Sequence, residues 1–488
     1  MKSLRFLPLL FIFLIIGLAC NIFSGSSTPT SAPPQTSIPV IIPTQSSPLQ
    51  PALTMSAPWM IMRASDGLWA ANSDGSGVVR LLAGSQWQSG FTHAVQPDGN
   101  LVVIITNGGD LYHHLALHLL SLPDGTLQKI TDLTTPQTEP AADASPGTDA
   151  LEAMRAVSEQ NSYSWSPDGT KLAFIGAMDG PSADVYLYDL NSRSITRVST
   201  DPSANYWPSW SPDGSHLIFL GADTFGTGAG ISMKGVWSAN GDGSNVQLLY
   251  TPTSSGEEIL GWRDNQSVVL ESWDPGRGPS DLRIYNILTK KTISLPTGAV
   301  TAAVSDPGTI MTSPDKGAVL FSQPMGLSIL LSNQTVPVKL SEKQAEEIRW
   351  IQDSSMFQVV FQDGSLGTYQ SDGSSPEIAP AALSGARLGN SNVSMYGLIW
   401  GWTSNSSNAP GVWITGPGLN FPQIFAGPSV APLWDPHNNL VFFSGGTVYR
   451  ATFDAYYSDL TSIANLPGEV TDAAWVGTPG FDIYGLVP

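Results

Sequence analysis

The chain has 488 residues and a formal net charge of −19, with 40 acidic side chains against 21 basic ones. A surface this acidic repels nucleic acid and anionic lipid headgroups, so neither is expected as a partner, apart from any covalent lipid anchor. Charged residues are only 12% of the total while Gly (48) and Pro (38) are abundant, a mixture that suits a large all-β protein of many short strands.

The first element is an export signal over residues 1–20. Met1-Lys2-Ser3-Leu4-Arg5 supplies the positive n-region, and the apolar run Leu7 to Ile16 is the length of an h-region and short for a membrane span. It closes with Ile16-Gly17-Leu18-Ala19-Cys20, which carries the only cysteine of the chain. Small residues followed by Cys resemble the lipobox of bacterial lipoproteins. That resemblance implies a diacylglyceryl group on Cys20, which becomes the first mature residue, and an anchor at the outer face of a bacterial membrane. Gly17 stands where Leu is usual, with Leu18 one place late. The other reading is an ordinary signal peptide, or an uncleaved anchor, with an incidental Cys. Both put the rest of the chain outside the cytoplasm. Loss of Lys2 and Arg5 with the signal takes the charge from −19 to −21. No cysteine follows Cys20, so no disulfide braces the fold and the apolar core must hold it alone. Beyond the signal, no stretch is long and apolar enough to span a bilayer.

Residues 21–57 read as a stalk. From Ser24 to Pro58 the chain is rich in Ser, Thr, Pro and Gln and has no Asp, Glu, Lys or Arg. Such a segment buries no core, and its prolines oppose helix and ladder alike. In polyproline II, at ~3 Å per residue, it reaches on the order of 100 Å. A merely disordered terminus is the alternative.

From Pro58 to Pro488 one pattern recurs. Ser164-Trp165-Ser166-Pro167-Asp168-Gly169 returns as Ser209-Trp210-Ser211-Pro212-Asp213-Gly214, each followed by an apolar run. Weaker copies are anchored near Asp98, Asp264, Asp315, Asp353 and Asp435. The Trp reads as a buried strand residue. Pro-Asp-Gly reads as a tight turn in which Pro sets φ, Asp bonds its own backbone and Gly takes positive φ. A second hairpin recurs within each unit: Trp69 to Leu82 matches Trp237 to Leu249 around Asn-x-Asp-Gly-Ser. Four short antiparallel strands repeating every 40–50 residues are the mark of a β-propeller.

The W-S-P-D-G turn at Trp165 to Gly169 and Trp210 to Gly214 resembles the TolB-like, WD-repeat-like β-propellers. The resemblance implies an extracytoplasmic propeller over 58–488 that binds proteins or peptides without chemistry. Some relatives carry a serine peptidase domain, for which nothing follows the last unit here. A degenerate unit is expected around Val393 to Ile424, with Trp413-Ile414-Thr415 as its third strand. Pro58 to Leu82 and Thr471 to Val476 are expected to share one blade and close the ring, removing open edges. Eight blades are expected, with seven and nine as the alternatives. An acidic insertion at about 132–161 holds Asp132, Glu139, Asp143, Asp149, Glu152 and Glu159 against Arg155 alone, with a short helix expected over Asp149 to Val157. It reads either as a recognition loop or as a disordered acidic one.

No catalytic residue and no cofactor is expected. There is no G-x-S-x-G, H-E-x-x-H or P-loop, and no thiol besides Cys20. His113, His114 and His118 form the one histidine cluster. His114 and His118 on a strand would point the same way, but no third ligand is evident, so no metal is expected. Gly226 to Gly230 opens no βαβ helix and reads as a flexible loop. Asn240 to Gly243 is read as a hairpin turn, not a calcium loop. Asp98, Asp168 and Asp213 are structural by the same logic. The pairs Glu257-Glu258 and Glu346-Glu347 precede inner strands, facing the channel mouth; a glycosidase needs two carboxylates ~5–10 Å apart. Trp87, Tyr206, Trp207 and Trp273, read as loop aromatics, are the candidate binding residues. The function expected is a monomeric, membrane-anchored, non-catalytic binding or scaffold module for a protein, peptide or glycan. The alternative is an extracytoplasmic hydrolase or lyase with acidic residues at the channel, marked by carboxylates and histidines converging with displaced pKa values.

Overall fold

The computed structural model describes Leu53 and residues 58–477, except loop segments of which the longer are 85–90, 108–111, 140–148, 225–230, 296–309, 380–390, 394–399, 405–409 and 416–422. Within these residues lie eight four-stranded antiparallel sheets and one three-stranded sheet. The chain is therefore all-β and builds a propeller. The count is nine sheets, not the eight expected. Seven turn anchors, one degenerate unit and one closing unit are each a sheet in their own right.

We number the blades along the chain. Blade 1 joins Trp59–Ala64, Gly67–Asn72 and Val79–Ala83 to the C-terminal strand Val470–Val476, which pairs with Trp59–Ala64 in the innermost position. Blade 2 has Leu101–Thr106, Ala116–Ser121 and Thr126–Asp132, and a single bridge from Val95 to Val102 stands for its inner strand. Blade 3 runs from Tyr163–Trp165 to Ser194–Arg197, blade 4 from Ala204–Trp210 to Gln247–Tyr250, and blade 5 from Gly256–Asp264 to Thr292–Leu295. Blade 6 runs from Ile310–Thr312 to Val338–Ser341, and blade 7 from Ala345–Trp350 to Glu377–Ala379. Blade 8, the degenerate unit, runs from Ser391–Val393 to Gln423–Phe425 with Gly411–Thr415 third; blade 9 runs from Val430–Trp434 to Tyr457–Asn465.

Side-chain chemistry explains why the unit repeats. In six blades the inner strand carries a buried Trp at or near its end: Trp165, Trp210, Trp262, Trp350, Trp434 and Trp475. Four of these indoles donate to a backbone carbonyl of the preceding blade. Trp165 reaches Ala94 at 3.1 Å, Trp210 reaches Ser164 at 3.1 Å, Trp262 reaches Ser209 at 3.4 Å and Trp350 reaches Met311 at 3.5 Å. One side chain thus fills the wedge between blades and satisfies its own polar atom.

The turn that follows is a closed circuit. Asp168 accepts from Ser166 Oγ at 2.6 Å and from the Thr170 N–H at 3.1 Å, while Ser166 Oγ accepts the Lys171 N–H at 2.9 Å. Asp213, Ser211, Ser215 and His216 repeat it. Gly169 and Gly214 sit at φ of 65° and 69°, the left-handed region where a side chain is strained.

Because the strands alternate in direction, the inner turn and the outer hairpin turn of every blade lie on one face of the ring. The middle loops and the links between blades lie on the other. We call these the turn face and the loop face.

Candidate binding face

The acidic insertion lies on the loop face, between blades 2 and 3. Its start is tied down. Thr134 bridges to Ala177 of blade 3, Thr138 Oγ donates to the Ala177 carbonyl at 2.9 Å, and Glu139 accepts from Thr134 Oγ1 at 2.9 Å and from the His114 N–H at 2.8 Å. The expected helix is present as α1 (Asp149–Ser158). Its face of Ala153, Met154, Ala156 and Val157 is buried. It packs on the inner strand of blade 4 and on the second strands of blades 3 and 4. Where described, the insertion is thus a packed element rather than a loose acidic loop.

Tyr206 and Trp207 stand under α1, in the inner strand of blade 4 rather than in a loop. Tyr206 is buried and donates to the Glu152 carbonyl at 3.3 Å. Burial, followed by the charges of Glu152 and Glu159, pushes its phenol well above the usual range. Trp207 donates its indole N–H to Glu159 at 2.9 Å, and its ring stands edge-on to Tyr206. Arg155 lies 3.8 Å from Glu152 and 3.3 Å from Glu159, so the helix carries its own counter-charge. Trp207 has a φ of 53° directly before Pro208, at a register shift in the strand. Proline brings no N–H to the ladder and disfavours an α-type conformation in the residue before it, so the bulge is a strained feature held by its surroundings.

A second network adjoins it on blade 3. Fully buried Asp184 accepts from Arg197 at 2.7 Å and from Ser199 Oγ at 3.0 Å. Arg197 also lies 3.3 Å from Asp179, which accepts from Tyr186 OH at 2.5 Å. Burial first, then the bond to Asp179, pushes the Tyr186 phenol far up. These carboxylates are consumed in holding the loop Ala177 to Ala183.

The other candidates are placed as follows. Trp87 and Cys20 lie outside the described residues, as do Asp98 and Gly226 to Gly230. Trp273 belongs to the strand Ser267–Asp274, not to a loop, and its side chain is not described. Glu257-Glu258 and Glu346-Glu347 fall within the inner strands Gly256–Asp264 and Ala345–Trp350, with side chains likewise undescribed. The histidines do not share a strand: His113 and His114 precede Ala116–Ser121, which contains His118, and His114 has a φ of 56°. Burial lowers the His118 pKa. Among the described residues no three His, Cys, Asp or Glu side chains form a metal-sized group. The aspartates held below the carboxylate range are turn residues: Asp74, Asp168, Asp189, Asp213, Asp242, Asp363 and Asp372. Asp363 is held at about 2, first by the hydrogen bond from Lys343. The role of Glu159 as partner of Trp207 was not legible in the sequence, because the two are 48 residues apart.

No protein-family model and no curated protein sequence matches the chain. Solved structures do. A eukaryotic initiation factor is 12% identical, with 86% of this chain and 98% of that one covered and a TM-score of 0.52. The C-terminal WD40 domain of Sif2 is 13% identical over 78% of this chain and 96% of its own, with a TM-score of 0.40. A putative TolB from Agrobacterium tumefaciens is 13% identical over 67% and 88%, with a TM-score of 0.32. At such identities the likeness is one of fold, and with the sheet topology it makes the chain a β-propeller.

Proposed function

We propose that this propeller is a non-catalytic binding or scaffold module, monomeric and held at the outer face of a bacterial membrane by lipid on Cys20. Its ligand is a protein, peptide or glycan, taken on the loop face around α1. The supporting observation is the asymmetry between faces. The inner turns of blades 3 and 4 on the turn face repeat one Asp-Gly circuit, whereas the loop face carries a docked helix over a strained Trp207. Irregular elements on a rigid scaffold are where recognition is usually placed. The carboxylates around α1 and blade 3 are engaged by Arg155, Trp207, Thr134 and Arg197, which favours recognition over acid–base work.

Mass spectrometry of the membrane-derived chain, with and without Cys20→Ser, reads the anchor. Screening against peptide and glycan libraries, followed by amide exchange, reads the site. Expected are a diacylglyceryl-modified Cys20 and a ligand that slows exchange over 149–159 and 203–207 and is weakened by Trp207→Ala. An unmodified Cys20 would remove the anchor, and steady release of a cleaved product would replace binding with catalysis.

A further inference from the structure

The start of the described chain marks one face of the ring. Trp59 begins the second strand of blade 1 and pairs with Val476 at the end of the inner strand. Second strands begin at the turn face, so the chain before Trp59 arrives from that face. Leu53 agrees: it is buried beside Gly77, in the outer turn of blade 1.

Along the turn face the outer turns of blades 1, 2, 4 and 7 carry an aspartate: Asp74, Asp124, Asp242 and Asp372. Each accepts from the N–H two residues on, which holds an anion at the tip. Blade 8 has no acidic residue at this place in its sequence, and neither do blades 5 and 6. Their outer turns read Asn286-Ile287-Leu288-Thr289-Lys290-Lys291 and Ser332-Asn333-Gln334-Thr335-Val336, with no acidic residue. Val336 is 61% exposed and Leu288 54%, the two most exposed of the large hydrophobic residues among those described. Lys290 and Lys291 are exposed beside Leu288.

The two turns are built rather than loose. Asn286 Oδ1 accepts the Thr289 N–H at 2.8 Å and Thr289 Oγ1 at 2.9 Å, and the Ile287 N–H reaches the Gln266 carbonyl at 2.8 Å. Arg263, buried on blade 5, donates to the Ser332 carbonyl at 3.2 Å and so ties the blade 5 inner turn to the blade 6 outer turn. The neighbouring acid, Asp264, accepts the Gln266 N–H at 2.8 Å, and Lys339 is paired with Glu342.

A single exposed Leu is ordinary. Two apolar tips on adjacent blades, beside paired lysines and on the face where Leu53 and Trp59 lie, match the chemistry of a membrane surface. We infer that the outer turns of blades 5 and 6 rest on an anionic lipid bilayer, with Leu288 and Val336 at the headgroup boundary and Lys290 and Lys291 against headgroup phosphates. The loop face and α1 then point away from the membrane. The net negative charge does not forbid this. At physiological ionic strength the screening length is about 8 Å, so carboxylates on distant blades contribute little. The inference takes from the proposed anchor only which membrane is nearby.

All described strands lie between Trp59 and Val476, and the ring closes through blade 1, so a chain of residues 21–488 keeps every described element. It also lacks Cys20, which makes the result independent of lipidation. The test is sedimentation of this chain with vesicles of phosphatidylglycerol and phosphatidylethanolamine, against pure phosphatidylcholine. Binding is expected on the anionic vesicles, falling steeply with salt. Lys290→Glu/Lys291→Glu is expected to lower partition by roughly tenfold or more, and Leu288→Ser/Val336→Ser by several-fold, with thermal melts unchanged. Absence of binding to anionic vesicles overturns the inference. So does equal binding by the variants. Concentration-dependent self-association abolished by the same variants overturns it too, since the occupant would then be a second copy.

Discussion

Blades 3 and 4 and blade 8 share a topology but not a chemistry, and the contrast separates what builds a blade from what closes the ring. Blades 3 and 4 have the Trp-to-carbonyl bond across the blade boundary and the Asp-Gly circuit at the inner turn. Blade 8 has neither motif in its sequence, its inner and fourth strands are three residues long, and the Trp413 indole N–H has no partner among the described residues. It still forms four antiparallel strands, with Val412 and Ile414 packed on Trp434, Leu440 and Phe442 of blade 9. The motifs therefore tie a blade to the one before it, while burial between neighbours is enough to hold a blade that lacks them.

The largest expected effect breaks the strong side of that contrast. Trp210→Ala removes a buried indole and its bond to Ser164, and it opens a wedge between blades 3 and 4. Unfolding in urea is expected to show a loss of about 3–5 kcal/mol. Trp413→Ala, at a half-buried position, is expected to lose markedly less. Equal losses would mean that the Trp-to-carbonyl bond does not distinguish the blades.

Next come the turn aspartates. The carboxyls of Asp168 and Asp213 are held below their ordinary range by bonds from Ser166, Thr170, Ser211 and Ser215, which outweigh the opposing effect of burial. A folded-state pKa below the unfolded one means stability that is present above the unfolded value, about 4, and lost as pH falls through the folded value. Lowering pH from about 5 to 3 should therefore cost the parent chain more stability than Asp168→Asn/Asp213→Asn. Parallel pH curves for the two would show that these aspartates carry none of the acid sensitivity.

Gly243 and Gly84 divide backbone strain from packing. Both have positive φ, 82° and 77°, but a Cβ on Gly243 would meet Leu187 at 3.1 Å and Val198 at 3.2 Å, whereas one on Gly84 meets nothing within 4 Å. Gly84→Ala is expected to cost about 1 kcal/mol for conformation alone, and Gly243→Ala more, by calorimetry of each variant. A larger loss at Gly84 would contradict the packing of the blade 4 turn on blade 3.

What was legible in the sequence follows the same division. Trp165, Asp168 and Gly169 announced their roles because each satisfies its chemistry within a few residues or at a fixed blade spacing. The closing strand Val470–Val476 was legible as the inner strand of a blade shared with Pro58 to Leu82, and α1 as a short helix with Asp149 near its start. The count of nine was not, although each unit had left a trace: seven turn anchors, the degenerate blade 8 and the closing blade 1 are separate sheets. Tyr206 and Trp207 were misread as loop aromatics. The Pro208 that resembles a loop signal instead marks a bulge within a strand, and the element that covers them lies some fifty residues earlier. The long-range pairing of Glu159 with Trp207 leaves no periodic trace.

The smallest expected effect sharpens the contrast between blades 4 and 5. Asn286 occupies the position from which blade 5 organises its outer turn, accepting from Thr289 N–H and Oγ1 through one oxygen. Asn286→Asp keeps that acceptor and gives up the longer bond from its amide to Ser267 Oγ at 3.3 Å. A charge-assisted bond is the stronger, so the gain at Thr289 and the loss at Ser267 nearly cancel. The expected change is within about 0.5 kcal/mol at pH 7, as for other exposed sites. What should change is the dependence on pH. The new carboxylate accepts bonds only in its folded turn, so its pKa falls on folding and the variant acquires a loss of stability below about pH 4 that the parent lacks at this position. Placed beside Lys290 and Lys291, it also adds an anion to an outer turn that has none. A stability gain well above 0.5 kcal/mol would show that blade 5 forgoes the aspartate at a real cost, and hence that something other than folding keeps it out.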